Sequence, residues 1–135
     1  MRSKELRIDT GNRVAIVDIT SGVAEFCSGG EDGLVSVFVP HATAGVAVIE
    51  TGAGTDSDLA DAIDRLLPAE EGLWRHAHGS AGHGRDHVLP AFISPSITVP
   101  VANGEMSLGT WQSIVLVDTN LDNPSRRVIL SFLDG

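Results

Sequence analysis

The apolar residues of this chain fall mostly in short β-branched runs, with only two stretches at helical spacing. Residues 14–17, 35–39 and 45–49 are Val- and Ile-rich and bounded by Gly, Asn or Pro, so each predicts a strand. Between the first two, Thr20 to Cys27 opens on a Thr cap and places Val23, Phe26 and Cys27 on one face, which predicts a short helix ending near Gly29-Gly30. Residues 56–67 predict a longer helix, with Leu59, Ile63, Leu66 and Leu67 as its apolar face and Pro68 as its stop. Residues 98–101 lead into Asn103-Gly104, a tight-hairpin signal, and the return strand runs through Met106 and Leu108. Residues 111–117 and 127–133 complete the strands. Many short strands with two helices and hairpin connections predict an α+β fold, a mainly antiparallel β-sheet or sandwich, in one domain spanning 1–135. Too few helices separate the strands for a parallel doubly wound sheet.

Composition narrows the class of function. The chain has 135 residues, 18 acidic against 9 basic, and a formal charge of −9. That balance argues against nucleic acid or an anionic membrane as the main partner. A lone Cys27 forms no internal disulfide and reads as a small buried hydrophobe. No apolar run is long enough to span a bilayer and no leader pattern opens the chain, so the expected location is the cytoplasm.

Chemistry concentrates in two places. Residues 70–85 turn to Gly, His, Ala and Ser without periodicity and predict a mobile loop, and four of the 5 His lie at His76, His78, His83 and His87. Imidazoles in such number can hold a divalent ion and leave a position open. Their spacing matches no rigid ligand template, however, and by itself reads first as a solvated loop. His41 follows a strand and precedes Ala-Thr-Ala-Gly, small residues that let a ligand approach. Glu50 closes a strand, and Asp58 stands in the first turn of the longer helix, where the helix dipole favours a carboxylate in any case. The other conspicuous segment is Gly104 to Gln112, which sets Trp111, one of 2 Trp, between Thr110 and Gln112 before a strand. No nucleophile elbow, phosphate-binding Gly loop or zinc-spaced Cys pair is present.

The order Val-Phe-Val-Pro-His-Ala-Thr-Ala-Gly, Glu50, Asp58, Pro68, Trp74-Arg75-His76, His87, the segment from Ser96 to Leu-Gly-Thr-Trp-Gln, and Ser125-Arg126-Arg127 resembles the YjbQ-like family, also called the secondary thiamine-phosphate synthase family. The resemblance covers essentially the whole chain. It implies a compact α+β fold, a homotrimer and a site near a subunit boundary. It assigns the family's three His to His41, His76 and His87 as metal or phosphate ligands. Glu50, Asp58, Trp111 and Gln112 fall at its catalytic positions, and Thr43, Thr110, Arg126 and Arg127 at its substrate-binding ones. It assigns nothing to His78 or His83. Two departures stand out: Asp86 takes the place of the usual Ala before the third His, and Ser94 that of a Gly. Asp86 would either orient His87 or displace it.

The implied function is a thiamine-phosphate synthase-like transferase acting on a small phosphorylated molecule, with a divalent ion, zinc or magnesium, and Arg126 or Arg127 neutralising phosphate charge. The alternatives are a non-catalytic binder of a small anion or metal, and a metal-dependent hydrolase with Glu50 or Asp58 as general base.

Overall fold

A computed structural model describes residues 1–122 and 124–135 of the chain. Its strands are β1 (Arg2–Asp9), β2 (Ala15–Asp18), β3 (Gly33–Phe38), β4 (Ala44–Ile49), β5 (Ser96–Ala102), β6 (Glu105–Met106), β7 (Ser113–Asp118) and β8 (Ser125–Asp134). The helices are α1 (Thr20–Cys27), α2 (Thr55–Leu66) and α3 (Leu89–Phe92), with a 3-10 turn over His83–His87 before the last. One sheet has five strands in the order β1-β8-β3-β5-β6, the other three in the order β2-β7-β4. Every pairing is antiparallel. This is the α+β architecture read from the sequence, with α3 and the 3-10 turn added to the expected helices.

The two sheets pack face to face. Val35 and Val37 of β3, Val99 and Val101 of β5, and Leu130 and Phe132 of β8 meet Val46 of β4 and Ile114 and Leu116 of β7, with Val23 and Cys27 of α1 in the same cluster. Burial raises the Cys27 thiol pKa, consistent with a packing role. Val115 and Val117 face the other way, onto Ile63, Leu67 and Leu89. A strand covered on both faces needs a continuous apolar run, and Ile114 to Val117 supplies it.

The hairpin β5–β6 forms where Asn103-Gly104 predicted it. Asn103 has φ 52° and Gly104 φ 76°, so both central residues occupy the left-handed region that a type I′ turn requires. The return strand stops at Met106, short of Leu108. The edge strand β1 was not anticipated, because Arg2, Lys4, Glu5 and Arg7 break its apolar pattern; it pairs with β8 from Arg2↔Phe132 to Asp9↔Ser125. Charges on an edge strand discourage pairing with further chains.

Helix α2 begins and ends one residue earlier than expected and buries Ile63, with Leu67 buried as its C-cap residue, but Leu66, expected on the same face, is 60% exposed. Beyond α2 the expected mobile loop gives way to an ordered turn, with His83, Gly84, Arg85 and Asp86 buried. Two side chains tie this segment to the helix end: Trp74 Nε1 donates to the Pro68 carbonyl at 2.8 Å, and Arg85 Nη1 donates to Asp64 Oδ1 at 2.7 Å and to the Leu67 carbonyl at 3.2 Å. A guanidinium on the last carbonyls of a helix satisfies orphan acceptors and complements the dipole. Among the described residues, no helix is long and apolar enough to cross a membrane.

Candidate metal centre

The 3-10 turn brings His83 and His87 onto one side, and the irregular segment of residues 74–78 lays His76 beside them. Potential ligand atoms of His76, His83 and His87 all lie within 4.8 Å of one another. His83 Nε2 and His87 Nε2 stand 2.9 Å apart. The His76 ring centroid is 4.5 Å from that of His87 and 5.5 Å from that of His83. Gly84 permits this approach: a Cβ there would sit 2.4 Å from Trp74 Cβ and 2.9 Å from the His76 carbonyl oxygen. Gly82, at φ 74°, starts the turn with its own Cβ position only 1.9 Å from the Ala69 carbonyl oxygen.

Carboxylates set the chemical state of the centre. His83 Nδ1 lies 3.0 Å from Asp86 Oδ2 and 3.6 Å from Asp122 Oδ2. A carboxylate only accepts, so the proton belongs on Nδ1 and the Nε2 lone pair points at His87. Either one proton or one ion between the two Nε2 atoms then satisfies both. Asp122 Oδ2 also accepts from the Ser80 backbone N–H and hydroxyl, each at 3.3 Å. The His76 pKa lies below the ordinary imidazole value, through lost hydration first and then through repulsion from His78, His87 and His83. His76 is exposed, yet the rings of His78 and His87 pack on it at 3.9 and 4.5 Å and displace part of its water.

Two cavities share Trp74 and His76 as a wall. One, about 290 Å³, is bordered by Glu70, Glu71, Ser80 and His83 as well. The other, about 440 Å³, is bordered by Leu73, Arg75, His87 and Val88.

The remaining residues that the sequence singled out lie in three further places. His41, Thr43, Asp118, Arg126 and Arg127 form a polar cluster where β4 begins, β7 ends and β8 begins. Thr43 donates to Asp118 Oδ1 at 3.1 Å, Arg126 Nε donates to Asp118 Oδ2, and the Arg127 backbone N–H donates to His41 Nε2 at 3.1 Å. Burial depresses the His41 pKa first, and Arg126 lowers it further while Asp118 opposes. Arg126, which the resemblance put at a substrate-binding position, is 1% exposed and is an ion-pair partner of a fully buried carboxylate. Alternation explains this, since Arg126, Val128, Leu130 and Phe132 share the inward face of β8.

Glu50, Asp58, Thr110, Trp111 and Gln112 sit elsewhere. Glu50 follows β4, and Ile49 pairs with Ser113, so Glu50 stands beside the turn that carries Thr110, Trp111 and Gln112. Gln112 Oε1 closes that turn by accepting the Gly109 N–H at 2.8 Å, and Trp111 is 74% exposed. The opposite end of the 6-residue strand β4, where Thr43 and His41 lie, is roughly 17 Å away at the usual rise per residue. Asp58 is exposed in the first turn of α2. Within one chain, therefore, His76 and His87 come together, His83 joins them, and His41 packs against the start of β8. Sequence spacing had left His83 in a solvated loop. The signal for it was Asp86, three residues on, at the right distance to hold its Nδ1 proton.

Comparison with known proteins agrees with this fold. The pattern of the family described as UPF0047 protein YjbQ-like matches residues 4–135. The UPF0047 protein Rv2556c of Mycobacterium tuberculosis is 62% identical over 135 residues and covers 100% of each chain. A UPF0047 protein of Archaeoglobus fulgidus is 36% identical over 131 residues, 96% of this chain and 99% of its own. Among solved structures, the hypothetical protein APE1520 of Aeropyrum pernix superposes with a TM-score of 0.88 at 35% identity over 100% of both chains. The conserved hypothetical protein TT1486 of Thermus thermophilus gives 0.82 at 30% identity, covering 96% of this chain and 99% of its own. The chain belongs to the YjbQ-like UPF0047 family.

Proposed function

We propose that the protein is a metal-dependent enzyme for small phosphorylated molecules, with one divalent ion of the zinc class held by His76, His83 and His87. The observation that carries this reading is the convergence of the two Nε2 atoms at 2.9 Å while the far nitrogen of His83 faces Asp86 at 3.0 Å. Two nitrogens about 2.0 Å from a tetrahedral ion stand about 3.3 Å apart, so a small ring rotation fits an ion between them. Imidazoles favour zinc over magnesium, which prefers oxygen donors. When bound, such an ion supplies Lewis acidity toward a phosphoryl oxygen.

The chain's own groups do the rest. Asp86 and Asp122 fix the His83 tautomer, and His78, outside the ligand group but with its ring 3.9 Å from His76, is placed to carry a proton at the rim. Joining a pyrimidine diphosphate to a thiazole phosphate is one reaction that suits such a site, because the departing diphosphate needs cationic stabilisation. Arg126 does not supply it within one chain, since its charge is spent on Asp118. We also infer a homotrimer, which would bring Glu50, Asp58, Thr110, Trp111 and Gln112 of one subunit toward the imidazoles or His41 of the next. Support comes from the outward face of the five-stranded sheet, where Leu34 and Leu133 lie side by side and Phe38 follows on the same face of β3 beyond Ser36, with Leu34, Leu133 and Phe38 all exposed. Another copy covering that face would bury them.

The test is elemental analysis of the purified protein and titration with Co²⁺, in wild type and His83→Ala, with thiamine-phosphate formation and aryl phosphate hydrolysis assayed with and without the ion. A stoichiometric ion that His83→Ala loses, together with ion-dependent turnover, is the expected result. Ion binding with no turnover of either kind would make this a binding protein, and no ion uptake would remove the metal reading. Light scattering that returns a monomer mass would remove the shared site.

A further inference from the structure

The imidazole triad has two cavities of opposite character against it, and they differ in what they would admit. Glu70 and Glu71 border the smaller, so an anion entering there meets two carboxylates. The larger, about 440 Å³, joins His76 and His87 to Arg75 and to the apolar walls Leu73, Trp74 and Val88. That volume lies in the range of small-molecule sites.

Arg75 differs from the arginines committed elsewhere. Arg85 pairs with Asp64, Arg126 with Asp118, Arg127 with Glu5 and Arg2 with Glu31. Arg75 is exposed, and among the described residues its guanidinium takes part in no ion pair or hydrogen bond. Its neighbour in sequence is His76, one of the three imidazoles, and Trp74 on its other side is anchored to Pro68 at 2.8 Å. The backbone on both sides is thus held by fixed groups while the guanidinium stays available.

We propose that Arg75 anchors the acidic group of a small ligand with an apolar body, which lies against Leu73, Trp74 and Val88 and presents an acid oxygen to the imidazole-held ion. The guanidinium fork matches a carboxylate or phosphoryl group through two parallel hydrogen bonds. This rests on the metal reading above and assigns the anion-recognition role, which the family resemblance gave to Arg126 and Arg127, to a residue that the geometry leaves open to solvent.

The experiment uses the full chain with and without Co²⁺, and phenylphosphonate, benzoate and benzylamine as probes. Calorimetry gives affinities, and the visible absorption of Co²⁺ reports whether the acid reaches the ion. Wild type should bind phenylphosphonate or benzoate at least tenfold more tightly than benzylamine, and the tighter of the two acids identifies the phosphoryl or carboxylate class. Arg75→Ala should lose at least tenfold in acid affinity with Co²⁺ affinity and melting temperature unchanged, and Arg75→Lys should recover part of it. Equal acid binding by wild type and Arg75→Ala would overturn the proposal, as would benzylamine binding as tightly as the acids. If Co²⁺ is not taken up at all, the metal reading fails separately. The metal-free protein then decides Arg75: acid binding that Arg75→Ala abolishes sustains the anchor, and no acid binding by wild type ends it.

Discussion

His83 and Asp86 face each other across 3.0 Å within a single 3-10 turn, with both side chains buried. Because the carboxylate accepts the Nδ1 proton, the aspartate directs the other nitrogen of the ring toward His87. Asp86→Asn keeps the shape of the side chain but lets it offer an N–H where an acceptor is required. Affinity for Co²⁺ or Zn²⁺, measured against a competing chelator, should fall about 10- to 100-fold, the usual cost of losing such an orienting partner. Unchanged affinity would mean that Asp122, 3.6 Å from the same nitrogen, suffices alone.

Gly84→Ala tests how the turn passes beneath Trp74 and His76. The added methyl would lie 2.4 Å from Trp74 Cβ and 2.9 Å from a backbone oxygen, so the 74–76 segment must shift. Overpacking of this kind costs about 1–3 kcal/mol. Urea unfolding should show that loss, and metal titration should show weaker binding because His76 moves with the segment. A variant as stable as wild type with full metal affinity would contradict the close packing described.

Asp118 and Arg126 are a buried ion pair, and removing either side chain leaves the other without its counter-charge in the core. Asp118→Ala should destabilise by about 3–5 kcal/mol, and Arg126→Ala by a comparable amount. The double substitution should cost less than the sum of the two, since neither charge is then left uncompensated. Additive losses in a double-mutant cycle would show that the two side chains act independently.

How much of this was legible in the sequence follows from the range over which each signal acts. Asn103-Gly104 encodes its turn in two residues, and α1 lies close to the span its spacing indicated, but Thr20 is not its cap: Ile19 takes the N-cap position, and the Thr20 hydroxyl donates to Asp18 and accepts the Ile114 N–H. Strand β1 was hidden because an edge strand needs apolar residues on one face only, and here Leu6 and Ile8 stand among charges. The burial of Arg126 was hidden because a charge at a strand start ordinarily faces solvent. Its partner Asp118 lies on another strand, although the alternation with Val128 and Leu130 already pointed inward. The His cluster was visible as composition, while its membership was not. Whether His41 or His83 joins His76 and His87 depends on a turn held by Arg85 and Trp74, whose partners on α2 and at Pro68 no local pattern reveals.

Trp111 separates assembly from scaffold. At 74% exposure it contributes little packing within one chain, so Trp111→Leu should leave the midpoint of unfolding within about 0.5 kcal/mol of wild type under monomeric conditions. If the inferred trimer buries it, the same substitution should weaken association, read as a concentration-dependent mass in sedimentation. A large loss of stability in the monomer would place Trp111 in a core that the structure does not contain.

Acid should weaken the fold through His41 and His76. Both pKa values lie below the ordinary imidazole value, His41 mainly through burial and His76 through lost hydration and the adjoining imidazoles. Above about pH 6.5, the unfolded value, each group is neutral in both states and contributes no pH dependence. Below it the unfolded chain takes up the proton first, so stability falls with pH until the depressed folded value is passed. Urea midpoints measured between pH 7.5 and 5 should therefore decline on the acid side of about 6.5. The decline should be shallower in His41→Asn, where the amide can still accept the Arg127 N–H but has no proton to gain. Metal affinity should stay pH-dependent in that variant, because an ion bound through imidazole lone pairs competes with protons at the His76 cluster and not at His41. A wild-type midpoint that is flat across the window would show that His41 and His76 titrate in the folded protein as they do in the unfolded chain.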